Sequence, residues 1–273
     1  MTPNKSPIPT ALQDFIRTKS PPVRLYVWRC SIIGSRTTAA QTQSIPQLPH
    51  IASIPTANLA GLSMCRLFSR GRDVHEVLAE LVTSSPNLES LELFRMTSKF
   101  YGSRRLPPIK HLSLSRSNWT YTTDEVSRIW DFSRLETLRI TEKSLSVNFM
   151  KSVHGKTLPC LKRLTIEMIR GLPATEDQLE MVGRFLLETP QLLEIHLTIA
   201  LCSAPIASIA RHSSLRSLKL NDRNWKTMRG EVAGMITVSD LEVLQTSCKH
   251  LVELTLDVRD CDASIIIPVA PVC

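Results

Sequence analysis

The stretch SPNLESLELFRM, residues 85 to 96, places Leu88, Leu91 and Leu93 at spacings of three and then two, with Glu92 inside the last pair and Phe94 after it. An amphipathic helix would space its apolar residues by three and four, and a half-buried strand by a steady two. The phrase fits neither alone; it reads as a short strand preceded by a turn that carries one further inward residue. It also recurs, as LAGLSM from Leu59, IKHLSL from Ile109, LETLRI from Leu135, LKRLTI from Leu161, LLEIHL from Leu192, LRSLKL from Leu215 and LVELTL from Leu251. A weaker ninth copy is PPVRLYV, in which Leu25 and Val27 hold the last two apolar positions.

Between these phrases the spacing turns helical. In LEVLQTSCKHL, Leu241, Leu244, Cys248 and Leu251 are separated by three, four and three, and the same offsets recur in Leu78, Leu81, Ser85, Leu88 and in Val182, Phe185, Thr189, Leu192. Thr122 with Glu125, Thr175 with Gln178, and Ser239 with Glu242 have the spacing of capping boxes, in which two side chains satisfy orphan helix amides reciprocally. Each segment therefore predicts helix, turn, strand. One such segment cannot bury its own apolar side, whereas stacked neighbours share a continuous core. The intervals between phrases, 29, 21, 26, 26, 31, 23 and 36 residues, scatter around the roughly 20–29 of leucine-rich repeats. The expected fold is α/β: a leucine-rich-repeat solenoid, or horseshoe, with parallel inner strands and outer helices. Residues 1–58 form a Pro-rich tail, a degenerate first repeat and a loop; 59–258 form a domain of about eight irregular repeats; 259–273 form an uncapped hydrophobic tail in which Ile265 to Ile267 supply one short strand.

The pattern LxxLxxxCxxLxxLxL, met at residues 241 to 256, resembles the cysteine-containing class of leucine-rich repeats. VLAELVTSSPNLESLEL and MVGRFLLETPQLLEIHL look like the poorly conforming repeats of fungal F-box/leucine-rich-repeat proteins. The resemblance implies a non-catalytic substrate-recognition scaffold in ubiquitin ligation, where an N-terminal F-box docks onto a Skp-type linker. The string from Leu48 to Arg70 opens as an F-box does, but it is short and Pro55 breaks its middle. We read Leu59 to Met64 as a repeat strand, so a Skp linker is expected as a partner only if an F-box is encoded upstream. The asparagine that follows the strand in regular repeats is replaced by Met96, Ser117, Lys143 and Arg223 in four copies, so backbone groups there need other partners.

The chain of 273 residues is 42% hydrophobic but only 5% aromatic, which predicts an interior of mostly aliphatic layers. Its seven cysteines include no CxxC pair, which reads as reduced, packed thiols. No secretory signal opens the sequence, and the uncharged run from 197 to 210 is too short to span a bilayer; the expectation is an intracellular protein, in cytoplasm or nucleus, with no membrane contact. The net charge of +8 is uneven: residues 1–120 hold 15 Lys/Arg against 6 Asp/Glu, and 121–273 hold 18 against 19. That asymmetry raises a basic-flank binder of nucleic acid or an anionic surface as the alternative function, beside a degenerate fragment with no independent role.

Catalytic signatures do not emerge. HGKTLP holds Gly155, Lys156 and Thr157, the tail of a phosphate loop, but the glycine needed five residues earlier is Met150. No cofactor, metal or enzymatic activity is expected. Function falls instead to the strand positions that alternate with the leucines and so face away from the core. Their charged members are Arg139, Arg163 and Lys219 against Glu92, Glu167, Glu194, Glu253 and Asp257, a slightly acidic face that weighs against nucleic acid. The residues expected to meet a protein partner on this concave face are Phe94, Arg139, Arg163, Glu167, His196 and Lys219. Phe94 is the one large apolar residue among them; packing beneath the following SKFYGSRR loop is its other reading.

Overall fold

A computed structural model describes residues 23–27, 59–65, 80–94, 99, 105–168, 175–189, 191–199, 204–221, 236–256 and 265–268; at 23–27, 59, 61–65, 143–145, 238 and 265–268 the description is of the backbone. The strands are β1 (Val23–Val27), β2 (Leu59–Cys65), β3 (Ser90–Phe94), β4 (His111–Ser115), β5 (Thr137–Thr141), β6 (Arg163–Glu167), β7 (Glu194–Thr198), β8 (Ser217–Asn221), β9 (Glu253–Leu256) and β10 (Ile265–Pro268). The helices are α1 (Thr123–Ile129), α2 (Lys143–Val153), α3 (Glu176–Glu188), α4 (Ile206–Ile209) and α5 (Val238–Ser247), and residues 80–83 are also helical. All ten strands join one sheet in sequence order, parallel from β1 to β9. The molecule is thus α/β, with a helix leading into each strand from β5 to β9. Leu25 and Val27 lie opposite Leu62 and Met64, so the weak N-terminal copy takes the register of the strong ones.

The spacing of three and then two is explained by where each leucine sits. In the seven phrases from Leu88 to Leu251 all three apolar positions are buried, none more than 6% exposed. The second and third lie on the strand and alternate inward; the first sits in the turn before it. That turn is closed by the first leucine's own amide: Leu88, Leu135, Leu161, Leu215 and Leu251 donate to the carbonyls of Ser85, Phe132, Leu158, His212 and Cys248, at 2.9–3.1 Å. A second contact locks successive segments together. The Glu89 carbonyl accepts from both Lys110 and His111, at 2.7 and 2.9 Å, and Lys110, Glu136, Lys162, Leu193 and Arg216 repeat this shared acceptance toward the next strand.

The position three before the first leucine varies among segments, from leucine at 106 and 158 to phenylalanine, cysteine and polar residues. Ser85 and Thr189 are buried there and return their hydroxyls to the Leu81 and Phe185 carbonyls one turn back. His212 is 2% exposed; its Nδ1 accepts the Leu192 amide at 3.2 Å, which assigns the proton to Nε2. Burial pushes the pKa of His212 below its ordinary 6.5, with the Leu186 carbonyl pulling the other way.

One expectation, the cap of α5, is corrected. Within a buried core that is otherwise mostly aliphatic, five rings gather, Trp119, Tyr121, Trp130, Phe132 and Phe149, with neighbouring centroids 4.7–5.9 Å apart and the Trp119 indole donating to Ser152 Oγ at 2.8 Å. Thr122 and Glu125 do cap α1 reciprocally, and Gln178 accepts the Thr175 amide at 3.0 Å. At α5, however, the box is Thr237 with Asp240, not Ser239 with Glu242. Starting at Thr237 puts Ile236 and Leu241 at the two positions of a hydrophobic staple, and both pack against the core; a start at Ser239 would give the second position to Val243, which is exposed. The sequence leaves residues 259–273 as an uncapped tail, and within it 265–268 pair antiparallel with β9, Ile265 opposite Leu256 and Pro268 opposite Glu253. Proline at the last paired position ends the ladder by removing a donor.

Leu138 is fully buried in β5, so Leu138→Ala should lower the unfolding free energy in urea by about 2–5 kcal/mol, whereas Val252→Ala at an exposed site should stay within about 0.5 kcal/mol. His212 supplies a pH signature. A histidine whose folded pKa is depressed contributes stability that is present above about pH 6.5 and is lost as pH falls toward the folded value. Urea unfolding of the native chain should weaken by up to about 1.4 kcal/mol per pH unit below that point. His212→Asn, which keeps an acceptor and does not titrate, should lack this component.

Candidate functional site

The parallel register sorts the outward side chains into three rows running across the strands. The first holds Ser90, His111, Thr137, Arg163, Glu194, Ser217 and Glu253; the second Glu92, Ser113, Arg139, Thr165, His196, Lys219 and Thr255; the third Phe94, Ser115, Thr141, Glu167, Thr198 and Asn221. Flanking each outward residue, the leucines and isoleucines are buried, and the outward residues are half-buried or exposed except Thr198. The six residues singled out in the sequence therefore share one face of the sheet. Arg139, His196 and Lys219 lie in the middle row, the last two as direct register partners; Arg163 belongs to the first row and Phe94 and Glu167 to the third.

What alternation could not show is that these charges answer one another. Arg139 meets Glu167 at 2.8 Å, Arg163 meets Glu194 at 3.7 Å, and Lys219 meets Glu253 at 2.9 Å, each pair bridging one strand to the next. Asn221 and His196 approach at 2.8 Å. Glu253 takes a further hydrogen bond from Ser217 Oγ at 2.7 Å, and the Lys219 and Ser217 donors together hold its carboxyl below the usual glutamate range. The face from β5 to β9 is thus close to neutral, and a partner that used its cations would first have to separate them from their carboxylates.

Toward β3 the chemistry changes. Phe94, half-buried, has Ser115 as its register partner, and the Arg116 guanidinium stands 5.9 Å above its ring. Arg116 follows β4 with φ of 50°, a left-handed backbone that non-glycine residues seldom adopt, while its amide still donates to the Thr141 carbonyl at 3.2 Å. Sequence alternation ends at Ser115 and gave no reason to include Arg116; only the positive φ turns it over Phe94. Ser117, standing where a regular repeat would have asparagine, donates to the Leu93 and Ser115 carbonyls.

The basic excess of residues 1–120 also finds partners where it is described. Lys99 pairs with Glu125 at 2.7 Å, Arg105 with Asp131 at 3.6 Å and Lys110 with Glu89 at 2.5 Å. The Glu125 carboxyl is held low by Lys99 first and the Thr122 amide second. Arg66, Arg70, Arg72, Arg95 and Arg104 lie outside the described residues. In the phosphate-loop lookalike, the Gly155 amide, at φ of 72°, donates to Glu188 at 3.4 Å and Lys156 donates to Ser127, so an acid already sits where an anion would. Among the described residues no group of three or more His, Cys, Asp or Glu is placed to hold a metal ion, and no helix is long and apolar enough to cross a membrane.

No protein-family model matches the chain, and no curated protein or solved structure matches it.

The Lys219–Glu253 contact predicts a titration. Carboxyl chemical shifts should place Glu253 below the ordinary glutamate value, and Lys219→Met should return it upward, because the donor that lowers it most is gone. Both groups are about two-fifths exposed, so the double-mutant coupling in stability should be small, about 0.2–1 kcal/mol. It is present at neutral pH and lost as pH falls through the lowered Glu253 pKa.

Proposed function

We propose that the chain is a leucine-rich-repeat solenoid acting as a non-catalytic scaffold that docks a protein partner on its strand face. The observation that carries this reading is the face itself: strands from β2 to β9 in continuous parallel register, presenting, among the described side chains from β3 onward, small hydroxyls and pairwise-neutralised charges around a single large aromatic. Repetition of the buried leucine triplet, the closing turn and the shared carbonyl supports the solenoid. The docking centre we assign to Phe94 with Arg116, bordered by Glu92, Ser113, Ser115 and Thr141. An aromatic with a guanidinium over its ring offers apolar area and a charged donor together, the residue types that dominate interface energetics. Arg139, Arg163, Glu167, His196 and Lys219 then shape a near-neutral surround that rejects strongly charged surfaces rather than attracting them. Participation in ubiquitin ligation as a substrate receptor rests on the resemblance to fungal F-box/leucine-rich-repeat proteins, and a Skp-type linker would engage an F-box rather than this face.

The test is photocrosslinking in the native cell extract from a reactive phenylalanine analogue at position 94, with the captured protein then titrated in purified form. Phe94→Ala and Arg116→Glu should each weaken that complex roughly tenfold or more, while Lys219→Met with Glu253→Gln should change it by less than about threefold, all with unaltered circular dichroism. Equal affinity for Phe94→Ala would remove the docking centre from this face.

A further inference from the structure

The helix layer on the other side of the sheet is uneven. α3 has thirteen residues and α5 ten, but α4 between them has only four. At about 1.5 Å per residue, α4 falls short of α3 by roughly 14 Å, or two and a half turns. Beside the missing length lies an open groove of about 780 Å³, bounded by Leu179, Gly183 and Leu187 of α3 and by Pro205 and Ser208 of the α4 region. Leu187 is 56% exposed there, the largest apolar exposure on any described helix. Gly183 sets the groove's depth: a Cβ on it would stand 3.3 Å from Ser208 Oγ and 3.4 Å from Pro205 Cβ, so the Pro205 and Ser208 side chains reach the α3 backbone where no side chain is raised from it.

The rim has a sign. Glu176 and Glu180 line it, Asp177 stands exposed beside them, and the one cation among the described lining residues, Arg184, is engaged by Glu180 at 2.9 Å. We propose that this groove is a second docking surface, distinct from the strand face, and that its occupant is a basic amphipathic helix of two to three turns from a protein partner. A helix fits because the walls are helices whose backbone groups are already paired within themselves, leaving no strand edge to extend; apolar contact and rim charge are what remain to offer. Leucine-type side chains would cover Leu179, Leu187 and Pro205, while lysines or arginines at the flank would face Glu176 and Glu180. The occupant supplies the turns of helix that α4 lacks.

The test uses the full chain and a labelled synthetic helix of about twelve residues, leucines on one face and lysines on the other, against the same peptide with glutamate for lysine. Fluorescence anisotropy should show saturable binding of the lysine peptide, with a Kd on the order of 10–100 μM that weakens with added salt, and no saturation with the glutamate peptide. Leu187→Asp, at an exposed site that folding does not depend on, should weaken binding roughly tenfold, since it sets a carboxylate against the peptide's leucines. Glu176→Lys with Glu180→Lys should reverse the preference between peptides, and Phe94→Ala should leave both unchanged. Failure of the lysine peptide to saturate below about 1 mM would overturn the proposal. So would equal affinity for the native chain and Leu187→Asp, because attraction to acid alone would then explain the binding.

Discussion

The carbonyl shared between two consecutive amides of the next strand is the contact on which the rest of the molecule depends. Glu89, Lys110, Glu136, Lys162, Leu193 and Arg216 each make it, at the residue between the turn leucine and the strand. It fixes the register before the strand begins. Because strand side chains alternate with a period of two, a slip of one residue at any of these points would turn a segment's two strand leucines to solvent and its polar residues into the core. The backbone contact and the burial of the leucines are therefore one constraint, and it permits the loops and helices between phrases to vary from 21 to 36 residues in period without disturbing the sheet.

That constraint explains what was legible in the sequence. The leucine spacing, the outward rows and the box at Thr122 and Glu125 are local patterns whose structural meaning does not depend on distant residues. The departures are of another kind. Thr237 with Asp240 and Ser239 with Glu242 both satisfy the capping rule; only the packing of Ile236 and Leu241 against the core separates them. The five-ring cluster draws on the β4–α1 loop, the α1–β5 connection and α2, and the spacing of the rings along the chain does not say that they turn to one another. Low aromatic content is an average, and an average does not say that the rings gather in one place.

The candidate face shows the same division. Its membership follows from alternation alone, but its electrostatics follow from which residues of the next strand come within reach, and the paired charges lie 28 to 34 positions apart in the chain. Arg139 and Glu167, or Lys219 and Glu253, read singly as binding groups; in register they read as pairs. Exposed pairs of this sort contribute little to stability, so their effect is on what the surface will accept. A surface whose cations and anions are interleaved at the strand spacing gives a charged partner no extended field to follow, and leaves discrimination to shape and to the few groups that stand apart.

Why those groups gather near β4 is a matter of how strands end. The residue after β6 is Met168 and after β7 is Ile199, both buried, so those strands leave by turning back into the core. The residues after β4 and β5 are Arg116 and Glu142, whose charges cannot follow that route, and both take positive φ, 50° and 138°. A left-handed or otherwise sparsely populated backbone at a non-glycine residue costs about 1–3 kcal/mol. The exit amides are nevertheless retained in the ladder, Arg116 to Thr141 and Glu142 to Glu167, so the sheet tolerates the strain without losing a hydrogen bond. Its consequence is local: among the described exits it is at β4 that a guanidinium is carried over the only large aromatic on the described strand face, and the otherwise uniform rows acquire a place that differs from the rest.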